Sequence, residues 1–227
     1  MNQQQLDNLQ LSYDRVADEY AHHVFDELQY KPLDRLLLDR LAASVPAGGI
    51  ICDLGCGPGQ VARYLHDHGA QVIGVDLSPQ MIEQARQLNP NLEFQPGNML
   101  ALDVADKAWA GIAAFYSIIH VPREDVMTAL HELKRVLQPG GLLLVAFHLG
   151  TEVLHLDEWW ERPVSADFVF FQAPEMQAYL QAAGFLIEDL IERPPYPDVE
   201  YQSHRAYILA RKPGETAAVN SAQAETE

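Results

Sequence analysis

The chain has 227 residues, enough for one α/β domain with a short decoration and too few for a multidomain machine. Its 48% hydrophobic and 21% charged residues exclude a disordered chain, and its longest apolar run, Leu142 to Phe147, is too short to cross a bilayer. With 32 acidic and 15 basic residues, the net charge of −17 repels phosphate backbones and argues against nucleic acid as a partner. The start, MNQQQLDNLQ, has neither a basic nor an apolar leader, so a cytoplasmic protein without membrane attachment is expected. Cys52 and Cys56 alone build neither a disulfide framework nor a zinc site, and no metal is expected.

From Ser12 to Val45 the pattern predicts two helices. Val16, Tyr20 and Val24 recur at fourfold spacing, and Leu33, Leu36, Leu37 and Leu41 form a second stripe opened by Pro32. The sequence then alternates: strand Ile50 to Leu54, helix Gln60 to His68, strand Gln71 to Asp76, and a helix capped by Ser78 with Pro79 at its first position. Further strands are expected around Leu92 to Gln95 and at Gly111 to Phe115. A helix with Val126, Leu130, Leu133 and Leu137 on one face follows, broken by Pro139-Gly140-Gly141 before a strand from Leu142 to Phe147. Gly150 to Ala173 shows no clean period and carries Trp159, Trp160, Phe168, Phe170 and Phe171, which suggests an insertion over a site. A helix from Pro174 to Gly184 and a hairpin of Phe185 to Ile191 with Tyr201 to Ala210 close the pattern. The small and acidic tail, 213–227, is expected to be disordered.

Strands alternating with helices imply parallel pairing, with helices on both faces of one sheet. The strongest local signal is Ile51-Cys52-Asp53-Leu54-Gly55-Cys56-Gly57-Pro58-Gly59, a strand that enters a glycine-rich turn and then a helix. Glycines there let the backbone approach a ligand, and Asp76 at the end of the second strand suits a ribose. A dinucleotide fingerprint wants glycine at position 60, where Gln60 stands, although Gly59 one place earlier softens that objection. Asp53 beside the turn would repel a pyrophosphate and attract an ammonium or sulfonium, which favours S-adenosylmethionine.

Four motifs, Ile51 to Gly59, Val75-Asp76-Leu77-Ser78-Pro79-Gln80-Met81, Gln95-Pro96-Gly97-Asn98-Met99 and Leu137-Gln138-Pro139-Gly140-Gly141-Leu142, together resemble the class I S-adenosylmethionine-dependent methyltransferases. The resemblance runs from about Tyr13 to Arg211. It implies a Rossmann-like three-layer α/β sandwich with a mostly parallel seven-stranded sheet, an antiparallel C-terminal hairpin strand and N-terminal cap helices. The expected organisation is a cap over 1–46 and a methyltransferase domain over 47–212, with a lid at about 150–173.

The same resemblance implies roles for single residues. Gly55 and Gly57 would face the methionine part, Asp53 its amino group, and Asp76 the ribose hydroxyls. Leu77 would pack on the adenine, Asn98 would accept from its amino group where the family more often has aspartate, and Met99 would offer a backbone N–H. Phe115 and Tyr116 would meet the cofactor through their backbone, and Tyr13 and Tyr20 would close over it. Leu77 and Met99 suit an ordinary core equally well, and the two tyrosines suit simple helix packing.

Methyl transfer from a sulfonium mainly needs alignment and desolvation, and a base matters where the acceptor is a hydroxyl. His120 after the fourth strand and His148 after the fifth are the candidates, because ligands bind beyond the carboxyl ends of such strands. Trp159, Trp160 and Tyr196 are expected to wall an apolar pocket for a small molecule, and Arg205 to pair an acidic group on it, although a surface role also suits that arginine. Phe115-Tyr116-Ser117-Ile118 stands where an Asn-Pro-Pro-Tyr motif would mark nucleobase or glutamine methylation, so a small acceptor is favoured over a macromolecule. A nicotinamide-dependent reductase and a non-catalytic S-adenosylmethionine-binding partner subunit are the alternatives. The first lacks the Tyr-x-x-x-Lys pair of short-chain reductases.

Overall fold

The computed structural model describes residues 1–214, so the tail expected to be disordered lies outside the described residues from position 215 onward. Helix α1 (Gln3–Val24) starts well before Ser12, because Asn2 and Gln5 form a capping box: Gln5 N–H donates to Asn2 Oδ1 at 2.9 Å and Asn2 N–H to Gln5 Oε1 at 2.8 Å. Helix α2 (Pro32–Ser44) begins at its proline. The alternating part follows as β1 (Ile50–Leu54), α3 (Gln60–Asp67), β2 (Gln71–Asp76), α4 (Pro79–Leu88), β3 (Glu93–Pro96), β4 (Trp109–Phe115), α5 (Val126–Val136) and β5 (Leu137–His148). Helix α5 ends one residue before Leu137, and the Pro-Gly-Gly turn that was expected to separate helix from strand lies inside β5.

The stretch after Gly150 is not irregular. It forms a separate antiparallel hairpin of β6 (Val153–Trp159) and β7 (Arg162–Val169), joined by a two-residue turn. Trp160 and Glu161 have φ of 50° and 61°, the left-handed pair that a type I′ turn requires. Helix α6 (Ala173–Ala182), β8 (Leu186–Arg193) and β9 (Arg205–Arg211) complete the chain. β9 thus starts four residues later than the pattern suggested.

The main sheet has seven strands in the order β3-β2-β1-β4-β5-β9-β8, with β9 antiparallel to both neighbours and β1 to β5 parallel. Strand side chains alternate between faces, and β5 shows how both are used. Leu143, Val145 and Phe147 pack with Leu130, Leu133 and Leu180 of α5 and α6, while Leu142, Leu144 and Ala146 pack with Leu37, Leu38 and Leu41 of α2. Both faces are covered, which is why this strand reads as an unbroken apolar run. Chain order reverses between β1 and β4, and in open parallel sheets that point leaves a crevice at the carboxyl ends of the strands. No helix of the described residues is long and apolar enough to cross a membrane.

Ser78 caps α4 and also ties it to α1. Its Oγ accepts from Met81 N–H at 3.0 Å and donates to Asp14 Oδ1 at 2.5 Å. Ser78→Ala is expected to cost about 1–2 kcal/mol in urea unfolding, because it leaves a first-turn N–H without its acceptor at a fully buried position. A change of a few tenths would show that water replaces the hydroxyl there.

Candidate active site

The crevice is a cleft of about 770 Å³ formed by the glycine loop, the end of β2, the turn after β3 and the segment after β4, and roofed by α1. Gly55 and Gly57 line it with φ of 75° and 51°, a region that favours glycine. A Cβ on Gly57 would lie 3.6 Å from the Tyr20 ring, so the loop backbone itself faces the cleft under the α1 tyrosine. Asp76 lines the cleft with both carboxylate oxygens engaged. Oδ2 accepts from Gly57 N–H and Oδ1 from Ser78 N–H, each at 2.8 Å. Burial raises its pKa to about 6, partly offset by those two N–H donors.

Leu77, Asn98, Met99, Phe115, Tyr116, Tyr13 and Tyr20 all line the same cleft. Asn98 Oδ1 already accepts from Leu100 N–H at 3.0 Å, so only one lone pair of that oxygen remains for a ligand. The buried Ser117 Oγ, on a residue of the cleft wall, has no hydrogen-bond partner among the described residues, which marks a polar position that a ligand would satisfy. Glycine backbone, a carboxylate and an orphaned hydroxyl around an otherwise apolar slot fit an adenosyl ligand with a charged amino-acid end.

Asp53 is a correction. It does not line the cleft; its Oδ2 accepts from Ala62 N–H at 2.9 Å, at the start of α3. Gly59 precedes that helix without a side chain to cap it, and Asp53 supplies the missing acceptor from β1. Its carboxyl is fully buried, and burial pushes its pKa to about 7.

A second cavity, about 1560 Å³ with its open mouth, lies against the first, and Tyr13, Tyr20 and Tyr116 line both. Trp159, Trp160, Phe168 and Phe170 form its aromatic wall, with the two indoles stacked 4.9 Å apart. Tyr13 and Tyr20 meet Trp159 edge-on at 5.8 and 5.6 Å, which joins α1 to the β6–β7 hairpin. Tyr116 has φ of 53°, uncommon for a bulky residue, and its N–H bonds Ala146 O at 2.9 Å. Strained backbone of this kind clusters at ligand sites.

The two histidines differ. His120 Nδ1 lies 2.9 Å from the Asp167 carbonyl, which can only accept, so Nδ1 carries the proton and Nε2 accepts from Tyr13 O–H at 2.7 Å. Burial lowers its pKa to about 4, and His120, which lines the cleft, has both nitrogens engaged within the protein. It thereby ties α1 to β7. His148 Nδ1 bonds Ser203 Oγ at 2.7 Å, and Nε2 has no partner among the described residues while the ring lines the aromatic cavity. Burial and the Arg205 guanidinium lower its pKa to about 3, so it is a neutral imidazole.

Tyr196 is a second substrate candidate that the structure removes from the cavity. Its hydroxyl accepts from Leu33 N–H at 3.2 Å and its ring lies under the Arg193 guanidinium at 4.0 Å. Arg205 is not on the surface; it is 2% exposed and lines the cavity. Lys31 and Glu200, which sequence reasoning missed, stand beside it. Burial raises the Glu200 carboxyl, but Arg193, the Tyr196 N–H, Lys31 and Arg205 together hold it at about 2. No sequence signal groups these residues, since they lie up to 174 positions apart and look like surface charges.

With burial raising the carboxyl of Asp76 to about 6, affinity for a cationic adenosyl ligand is expected to be constant above about pH 7 and to weaken as pH falls through 6. Calorimetric titration across that range checks this, and a flat profile down to about pH 5 contradicts it.

A methyltransferase-domain family profile matches residues 51–141. A malonyl-[acyl-carrier protein] O-methyltransferase of Enterobacter lignolyticus is 29% identical over 172 residues, covering 71% of this chain and 63% of that protein. A 2-phytyl-1,4-naphtoquinone methyltransferase of Thermosynechococcus vestitus is 30% identical over 203 residues, covering 76% and 85%. The chain spans 57 to 63% of the length of the first three such relatives. Among solved structures, an S-adenosylmethionine-dependent methyltransferase of Methanosarcina mazei superposes with a TM-score of 0.69 at 18% identity, covering 76% of this chain and 96% of that one.

Proposed function

Because the chain belongs to the class I S-adenosylmethionine-dependent methyltransferases, we propose that it transfers a methyl group to a small organic acceptor held in the aromatic cavity. One observation carries this reading: Tyr13, Tyr20 and Tyr116 line both the nucleoside cleft and the aromatic cavity, so a ligand in one lies against a ligand in the other. When bound, S-adenosylmethionine supplies the activated methyl group. The protein's part is to align two partners and keep water out.

Under this reading Asp76 takes the ribose hydroxyls, Gly55 and Gly57 let the loop approach the amino-acid end, and Leu77, Asn98 and Met99 flank the base. Tyr13 and Tyr20 roof the cofactor, and the Tyr13 to His120 bond holds that roof to the hairpin. Trp159 and Trp160 offer flat apolar surface to the acceptor, and His148 Nε2 offers it a hydrogen bond. The relatives' names mention a 2-phytyl-1,4-naphtoquinone and a malonyl-[acyl-carrier protein], too different to choose between for this chain.

The test is incubation of the full chain with labelled S-adenosylmethionine and a metabolite extract, followed by mass spectrometry. A product heavier than an extract component by one CH2 and carrying the label supports the reading. Tight cofactor binding with no labelled product from any extract would leave a binding subunit instead.

A further inference from the structure

The polar end of the aromatic cavity holds a group of buried charges. Lys31, Arg193 and Arg205 have side chains 3%, 8% and 3% exposed, against only two comparably buried carboxylates, Asp34 and Glu200, at 1% and 2%. The sixth charge, Glu27, pairs with Lys31 at 2.7 Å but is 21% exposed, on the solvent side, as is Asp198 at the cavity mouth. Asp34 and Arg193 pair with each other at 3.1 Å behind the cavity, where Asp34 also accepts from Tyr207 O–H at 3.0 Å. Of the three buried cations, Lys31 and Arg205 line the cavity itself, and Glu200 is the one comparably buried carboxylate that lines it with them.

Arg205 is also incompletely satisfied. Its Nη1 donates to the Tyr201 and Ser203 carbonyls at 2.8 Å each. Nε, buried, lies 3.2 Å from Glu200 without a hydrogen-bond partner of adequate geometry, and Nη2 has none among the described residues. An unpaired N–H on a buried cation is costly, and a ligand oxygen is the group that would satisfy it. The position is telling: the Arg205 guanidinium and Lys31 Nζ lie 5.4 and 5.8 Å from the centre of the Tyr116 ring, which is shared with the cofactor cleft, and the His148 ring lies 5.1 Å from it. The cations thus surround the end of the cavity where the acceptor meets the cofactor.

We infer that the acceptor is bound as an oxyanion, a phenolate or carboxylate on a flat apolar body, with Arg205 and Lys31 holding the oxygen and Trp159 and Trp160 the ring. This rests on the methyltransferase reading and narrows its substrate to acidic small molecules. An acceptor that arrives without its proton needs no base. That suits a cavity where the buried imidazole of His148 is a hydrogen-bond partner rather than a proton sink. Amines and neutral alcohols would meet the same cations without benefit.

The experiment uses the full chain saturated with S-adenosylhomocysteine, so that nothing turns over, with its binding confirmed by calorimetry. In one arm, 4-nitrophenol is titrated by its phenolate absorbance. The bound phenol is expected to ionise about one pH unit lower than the free one, which corresponds to about a tenfold preference for the anion. In the other arm, 2-naphthoate is compared with 2-naphthamide by quenching of tryptophan fluorescence, and the acid is expected to bind about tenfold more tightly. A positive phenol arm alone identifies phenolates as the class, and a positive naphthoate arm alone identifies carboxylates. Lys31→Met and Arg205→Gln should each reduce the preference, and Lys31→Met keeps the test open if loss of Arg205 disturbs its loop. An unshifted phenol together with an amide that binds as well as the acid overturns the inference. So does failure of both probe families to bind while S-adenosylhomocysteine still does. Absence of S-adenosylhomocysteine binding would instead overturn the methyltransferase reading, and the inference with it.

Discussion

Gly55→Ala is expected to lower stability by about 2–5 kcal/mol and cofactor affinity by about a hundredfold or more. At φ of 75° any Cβ is strained, and here it would also lie 2.3 Å from Ser117 Cβ and 3.1 Å from Ser117 Oγ. Neither side can yield easily. Gly55 N–H is fixed to Val75 O at 2.7 Å, and Ser117 runs from the left-handed Tyr116 into the buried Ile118 and Ile119. The loop and the segment after β4 would be pushed apart, and those are two of the walls of the cleft. Gly69→Ala is the control. It has φ of 89° but nothing within 4 Å of a new Cβ, so it carries only the backbone strain, about 1–2 kcal/mol, and leaves binding intact. Urea unfolding and calorimetric titration of the two variants separate the effects. Equal losses in both, or normal binding by Gly55→Ala, would show that the loop and Ser117 are not in contact in solution.

That contact illustrates what the sequence reveals and what it hides. The glycine pattern was legible because it reports on the local backbone: β1 and β2 have the bounds read from the chain, and Ser78 caps α4 as expected. The reason Gly55 must lack a side chain lies 62 residues away in Ser117, and no local signal carries it. The β6–β7 hairpin was hidden because its turn is Trp160-Glu161, without the glycine or asparagine that ordinarily announces a left-handed pair. The start of α1 was readable in Asn2 and Gln5 and was overlooked beside the stronger apolar stripe further on. The charged group of Lys31, Asp34, Arg193, Glu200 and Arg205 is the deepest omission. Each residue alone has a surface residue's chemistry, and only the packing of α2 against β9 and the loop before it buries them together. His120 was legible as a residue near the strand ends, but not its bonds to Tyr13 and Asp167, which assign it to holding the roof.

Asp76→Ala is expected to reduce cofactor affinity by about a hundredfold at neutral pH while changing the melting temperature of the free protein little. Hydrogen bonds from two hydroxyls to an ionised acceptor are worth about 3 kcal/mol together, which corresponds to that factor. Stability responds differently because two effects oppose each other. The carboxyl of Asp76 is raised from an ordinary 3.8 to about 6, so its stabilising contribution is complete below about pH 4 and lost as pH rises through 6. At neutral pH the buried carboxylate is therefore a cost, and alanine removes it. Alanine also removes the acceptor for the Gly57 and Ser78 N–H groups, which restores a cost of similar size. The pH dependence distinguishes this account from simple damage to the loop. Affinity of the native protein should fall below about pH 6 as Asp76 takes up its proton, and the variant, with nothing there to titrate, should show a flat profile that the native curve approaches. A variant that unfolds, or one whose affinity falls in parallel with the native protein across the same range, would move the ribose contact to another group in the cleft.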